Sequence, residues 1–236
     1  MPDDAQLPLA MPLRRRSVLA GALAAGGGLL LLPGCATTPR YSLEDAVRRM
    51  LFLASERAFV RMLGPGGYWD DAVANVGLAG LIGARGTVMA NILTSTLFKE
   101  RLEDALADIA FDAADRAAPL VTDAVRVIGF QNAVALIAGG ADAATVFLRG
   151  QMGERLVEAM VPEVGEALRI AREPLVREAL AGLAGVDVAA IADRFAETVD
   201  DTIWREIGAE EAAIRRDPQG TGDPVLIGVL GAAGRI

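Results

Sequence analysis

The stretch SLEDAVRRMLFLASERAFVRML, residues 42–63, decides the fold class. Leu43, Ala46, Val47, Met50, Leu51, Ala54, Ala58, Phe59, Met62 and Leu63 recur at three- and four-residue steps, while Glu44, Arg48, Glu56 and Arg57 fall elsewhere. That is the period of a helix with one apolar face, not the alternation of a strand. Ser42 with Asp45 supplies a capping arrangement at the start, and Gly64-Pro65-Gly66-Gly67 stops the helix.

Downstream, the same period returns in pieces. Residues 68–86 read as a glycine-spaced connection carrying Tyr68 and Trp69, with a short helical turn near Asp70 to Val76. Helical spacing resumes around Thr87 and runs through Leu102, Leu106, Ile109, Ala110 and Ala113, ending or bending near Pro119. Phe130 to Ala138 predicts a short helix closed by Gly139-Gly140, and Asp142 to Met160 the next, with Pro162 after it. Two further segments, Pro162 to Ala171 and Pro174 to Leu183, precede a turn at Gly185. Asp187 is placed to cap a longer helix in which Ile191, Phe195, Val199, Ile203 and Ile207 line one face. No stretch alternates as a strand would, so the expected architecture is all-α: a compact multi-helix single domain after an N-terminal signal peptide.

Composition narrows the function classes. Of 236 residues, 53% are apolar, enough for a packed core, and none is histidine. The chain therefore builds no Ser-His-Asp or Cys-His triad, no His-ligated zinc site and no histidine relay. Its formal charge of -8 works against the attraction to phosphate backbones, so no nucleic-acid partner is expected. No cofactor and no metal site is indicated either.

Residues 1–34 have the layout of an export signal: a polar start, Arg14-Arg15-Arg16, and an apolar run from Val18 to Leu32 interrupted by Gly26-Gly27-Gly28. A membrane-spanning helix needs roughly 20 apolar residues, more than this run provides. Arg15-Arg16-Ser17-Val18-Leu19 resembles the twin-arginine export motif, with an ordinary secretory signal as the alternative route. Leu32-Pro33-Gly34-Cys35 resembles the bacterial lipobox, which implies diacylglyceryl transfer to Cys35 and cleavage before it. Residues 35–41 then form an acylated tether and 42–236 the helical domain. Ala36, rather than Asp, follows the cysteine, which by resemblance points to the periplasmic face of the outer membrane rather than the inner membrane. The mature chain would carry a charge of -9, after loss of three Arg and two Asp, and no internal disulfide, since Cys35 is the only cysteine.

Three segments resemble, in this order, the bacterial exported family called domain of unknown function 4197: Ala46 to Gly67, Ala110 to Pro162, and Asp200 to Pro218. The most specific pieces are Gly140-Ala141-Asp142-Ala143-Ala144-Thr145 and the run Glu210 to Pro218. The resemblance implies a helical, envelope-located protein and attaches no activity. Position 146 is Val, with the aromatic following as Phe147, where many members place an aromatic directly after Ala-Ala-Thr. Position 112 is Asp where members usually have Asn, and no catalytic residue is carried over.

Few constellations remain. Asp142 and Thr145 follow two glycines at a helix start, where exposed N–H groups attract an anion; the simpler reading is that Asp142 caps the helix and Thr145 lies in its first turn. Glu210-Glu211 with Arg215-Arg216 read as solvated ion pairs on an exposed helix. Tyr68, Trp69 and Trp204 are aromatics that could face an apolar ligand and more commonly belong to a core. Asp108, Asp112, Asp115, Asp200 and Asp201, with Glu103-Asp104, supply carboxylates for a metal-dependent or acid-base hydrolase only if they converge in one pocket. The functional expectation is a membrane-anchored periplasmic lipoprotein acting as a non-catalytic binding or envelope scaffold module. Its partners would be the membrane, through the lipid, and an envelope protein or apolar ligand; the alternative is a carboxylate-dependent envelope hydrolase.

Overall fold

A computed structural model describes residues 42–82, 96–170 and 188–233. Cys35, Arg15, Arg16 and the helical segment expected over Pro174 to Leu183 lie outside the described residues, as does Asp187. The described residues form eight α-helices, and the contacts group Arg40–Ile236 into one unit. In chain order these are α1 Leu43–Met62, α2 Tyr68–Ile82, α3 Thr96–Val127, α4 Ala133–Ala138, α5 Ala143–Met152, α6 Arg155–Ile170, α7 Val188–Arg216 and α8 Pro224–Ala233, with a 3-10 turn at Gln219–Thr221 before the last. No described helix is long and apolar enough to cross a membrane.

Helix α1 follows its sequence signature. Ser42 Oγ accepts the Asp45 N–H at 3.0 Å, and Asp45 accepts the Ser42 N–H in return, so two of the orphan donors at the helix start are paired reciprocally. Its apolar face, Ala46 to Met62, is buried against α3 and α7. Arg48 reaches across to α3, where it donates to the Val125 and Ile128 carbonyls at 3.3 and 3.4 Å and lies 5.4 Å from the Phe130 ring centre. A cation at the carboxyl end of a helix meets carbonyls that have no intrahelical donor.

The stripe Ile191, Phe195, Val199, Ile203 and Ile207 on α7 is buried throughout, and Ile214 continues it. This face makes α7 the central helix, packed against α1, α2, α3, α5 and α6. Three of the sequence boundaries change, and of the end or bend expected near Pro119 the end is excluded. Residues 68–82 form a helix with a break at Gly77, whose φ of 71° suits glycine, rather than a connection with one short turn. Helix α3 runs on past Pro119, which is exposed, so the Asp115 carbonyl deprived of its donor faces water instead of ending the helix. The single helix expected from Asp142 to Met160 is two, because Gly153 at φ 58° closes α5. Pro162 sits inside α6 rather than after a helix.

Candidate functional site

Two short helices meet at the joint Gly139-Gly140-Ala141-Asp142, and α7 closes over it. The joint has a close-packed side: a Cβ at Gly139 would lie 2.6 Å from the Ala143 Cβ and 2.9 Å from the Ala135 carbonyl oxygen. The carboxyl end of α4 carries carbonyls without donors, and the amino end of α5 carries N–H groups without acceptors. One side chain of α7 answers each. Glu211, fully buried, accepts from the N–H of Ala144 at 3.1 Å, the N–H of Thr145 at 2.7 Å and Thr145 Oγ1 at 2.7 Å. Arg215, one turn on, donates to the Leu136 and Ile137 carbonyls at 2.7 and 2.8 Å and to Glu211 Oε1 at 2.6 and 2.8 Å. The pair is set so that its negative end meets the positive pole of α5 and its positive end the negative pole of α4.

This clasp corrects two expectations. Asp142 makes no side-chain cap bond; the N2 and N3 donors it would have taken are held by Glu211, and Asp142 itself is exposed. Thr145 is buried with both its N–H and hydroxyl committed to the same carboxylate, so the amino end of α5 already holds an anion, one supplied by the chain. Glu211 and Arg215 are a buried pair, not a solvated one, whereas neighbouring Glu210 meets Arg61 at 2.7 Å nearer the surface. Asp142→Ala is accordingly expected to change the unfolding free energy by less than about 0.5 kcal/mol in urea titration, well below the roughly 1 kcal/mol of a true cap.

The carboxyl end of α5 is tied to α7 as well. Arg149 donates to Asp200 Oδ2 at 2.7 Å and to Asp201, and Asp200 Oδ1 accepts the Trp204 Nε1–H at 2.8 Å. Burial pushes the Asp200 carboxyl above its ordinary range, while Arg149 and the Trp204 N–H pull it back. Trp204 is thus a core residue with its polar atom satisfied. Trp69 is also buried, edge-on to Tyr68, and the space beside it measures only about 10 Å³, room for no more than a water.

Between α5, α6 and α7 lies an open cleft of about 960 Å³. Val157, Val161 and Pro162 of α6 and Val146 of α5 give it an apolar floor, with Val146 61% exposed. Among the described residues its lining holds six carboxylates, Glu154, Glu158, Asp193, Glu197, Asp200 and Asp201, against one cation, Arg149. Of the carboxylates proposed for hydrolysis, only Asp200 and Asp201 reach the cleft, and Arg149 holds both; Asp108, Asp112 and Asp115 are exposed on α3. Among the described residues no group of three or more acidic or thiol side chains is placed to hold a metal ion. The cleft lining contains no hydroxyl, thiol or amine nucleophile among its described residues.

An all-α domain with a buried ion pair clasping two helix ends and an acidic cleft on its central helix is therefore the class of protein defined. The chain belongs to the family described as "Protein of unknown function (DUF4197)", whose model matches residues 38–231. No curated protein and no solved structure matches it. Of the two stretches that carry the family resemblance most specifically, Glu210 to Pro218 supplies Glu211 and Arg215, and Gly140 to Thr145 the N–H groups that Glu211 accepts. Sequence reasoning saw each stretch and missed their meeting. A signal for it was present: Glu211 occupies the next four-residue step after Ile203 and Ile207, where an apolar side chain is expected.

Proposed function

We propose that this protein is an exported lipoprotein, anchored through Cys35 to the periplasmic face of the outer membrane, that acts as a non-catalytic binding or scaffold module. The leader and lipobox-like sequence support the anchor, since a multiply acylated cysteine, at about 0.8 kcal/mol per buried methylene, holds a soluble domain on a bilayer durably. The observation that carries the binding role is the cleft: an open space of about 960 Å³ with apolar and acidic lining, built on α5 and α6 where each packs against α7. Its described lining offers surfaces to bind with and no hydroxyl, thiol or amine nucleophile.

Intact-mass spectrometry of protein extracted from native membranes tests the anchor. The expected product begins at Cys35 and carries a diacylglyceryl group, and Cys35→Ala should move the protein out of the membrane fraction. A bare Cys35 with the leader still attached would overturn the placement.

A further inference from the structure

We propose that the cleft docks a basic amphipathic helical segment of another polypeptide. The inference rests on the reading of the cleft as a binding surface and adds the chemistry of its occupant.

Two acidic rows flank the apolar floor. Glu154 and Glu158 stand four residues apart at the start of α6, and Asp193, Glu197 and Asp201 stand four apart along α7. At about 1.5 Å per residue the α7 row extends roughly 12 Å, two turns of a docked helix. Glu154, Glu158 and Glu197, with Asp193, are exposed, and no described cation pairs with them, whereas Asp201 is already engaged by Arg149. Pro162, inside α6, has no N–H to offer the Glu158 carbonyl, which adds an acceptor to the same wall. Val157 and Val161 belong to the same lining, one helical turn apart on α6.

The complement of this surface is a helix with an apolar stripe edged by Lys or Arg at four-residue steps. A small cation alone would leave the valines in water, and an apolar ligand alone would strip water from carboxylates without replacing it. A basic helix satisfies both sets, and its charge is opposite to the excess of five carboxylates among the cleft's described residues.

The test uses the full chain in nanodiscs of zwitterionic lipid and three 18-residue peptides: a Leu/Lys amphipathic helix, its Lys→Glu counterpart, and a scrambled Leu/Lys sequence. Hydrogen–deuterium exchange should show protection of residues 154–161 and 193–201 by the first peptide only, with affinity falling as salt rises. The triple variant Glu158→Lys, Asp193→Lys, Glu197→Lys should weaken binding about tenfold or more. The charge-matched control Asp108→Lys, Asp112→Lys, Asp115→Lys, away from the cleft, should stay within about twofold. Equal losses in both variants, or equal protection by the scrambled or acidic peptide, overturn the proposed occupant while leaving the cleft a binding surface. No protection by any peptide also overturns it, and the anchored-module reading then stands or falls on the Cys35 mass.

Discussion

Glu211→Ala is expected to destabilise the domain by about 3–5 kcal/mol, enough to lower its thermal midpoint by roughly 6–20 °C. The substitution does more than delete an ion pair. It leaves the Arg215 guanidinium, whose side chain is 12% exposed, without its counter-ion, and it leaves the N–H groups of Ala144 and Thr145 and the Thr145 hydroxyl without an acceptor. The adjacent Glu210→Ala removes a pair with Arg61, whose side chain is 45% exposed, and should cost under about 1 kcal/mol. Two neighbouring glutamates thus separate by several-fold in effect. The double variant with Arg215→Met should be less damaging than the sum of the single changes, by about 1–3 kcal/mol, because the stranded cation is gone. Urea unfolding of the native protein, the three single variants and the double variant gives the comparison, and equal losses for Glu210→Ala and Glu211→Ala would show that the buried clasp does not hold the helix ends.

The parts of this fold that were legible in the sequence are those that depend on period alone. Helix α1 and the stripe from Ile191 to Ile207 have a repeated apolar step, and burial acts on each step in the same direction. Helix boundaries that depend on one backbone angle were not legible. Gly153 adopts a positive φ and divides a helix that the side-chain period would have continued. The clasp was illegible for another reason. Asp142 has the local credentials of a cap, but a carboxylate 69 residues later takes that place, and sequence spacing holds no information on which of two acids reaches the helix end first. The cleft is the same case in reverse. Glu158 and Asp193 look like ordinary solvated acids until the packing of α6 against α7 brings them to the lining of one cleft.

Arg149→Met is expected to destabilise the domain by about 2–3 kcal/mol at neutral pH, less than the loss of Glu211 because Arg149 keeps a side chain 42% exposed while Asp200 is nearly buried. The pH dependence distinguishes this mechanism from lost packing. Burial already holds the Asp200 carboxyl above its ordinary value of 3.8, with Arg149 the strongest opposing influence. Between the ordinary value and the raised one, the folded state binds more protons at this site than the unfolded state does. Stability from Asp200 is therefore greatest below 3.8 and falls as pH rises through the folded value. Removing Arg149 raises that folded value further, so the difference between variant and native protein should be small near about pH 4 and reach its full size by about pH 7. Asp45 and Asp223, whose carboxyls are held below the ordinary range by hydrogen bonds from Ser42 and Arg49 respectively, make both proteins less stable as acid is added, and that common trend cancels in the difference. In the Arg149→Met background, Asp200→Asn should recover most of the loss at neutral pH and flatten the pH dependence, since the amide can still accept the Trp204 N–H and carries no charge to strand. A defect that is equally large at both ends of that pH range would mean that Arg149 acts through its methylenes, packed on α7, and not through the carboxylate it covers.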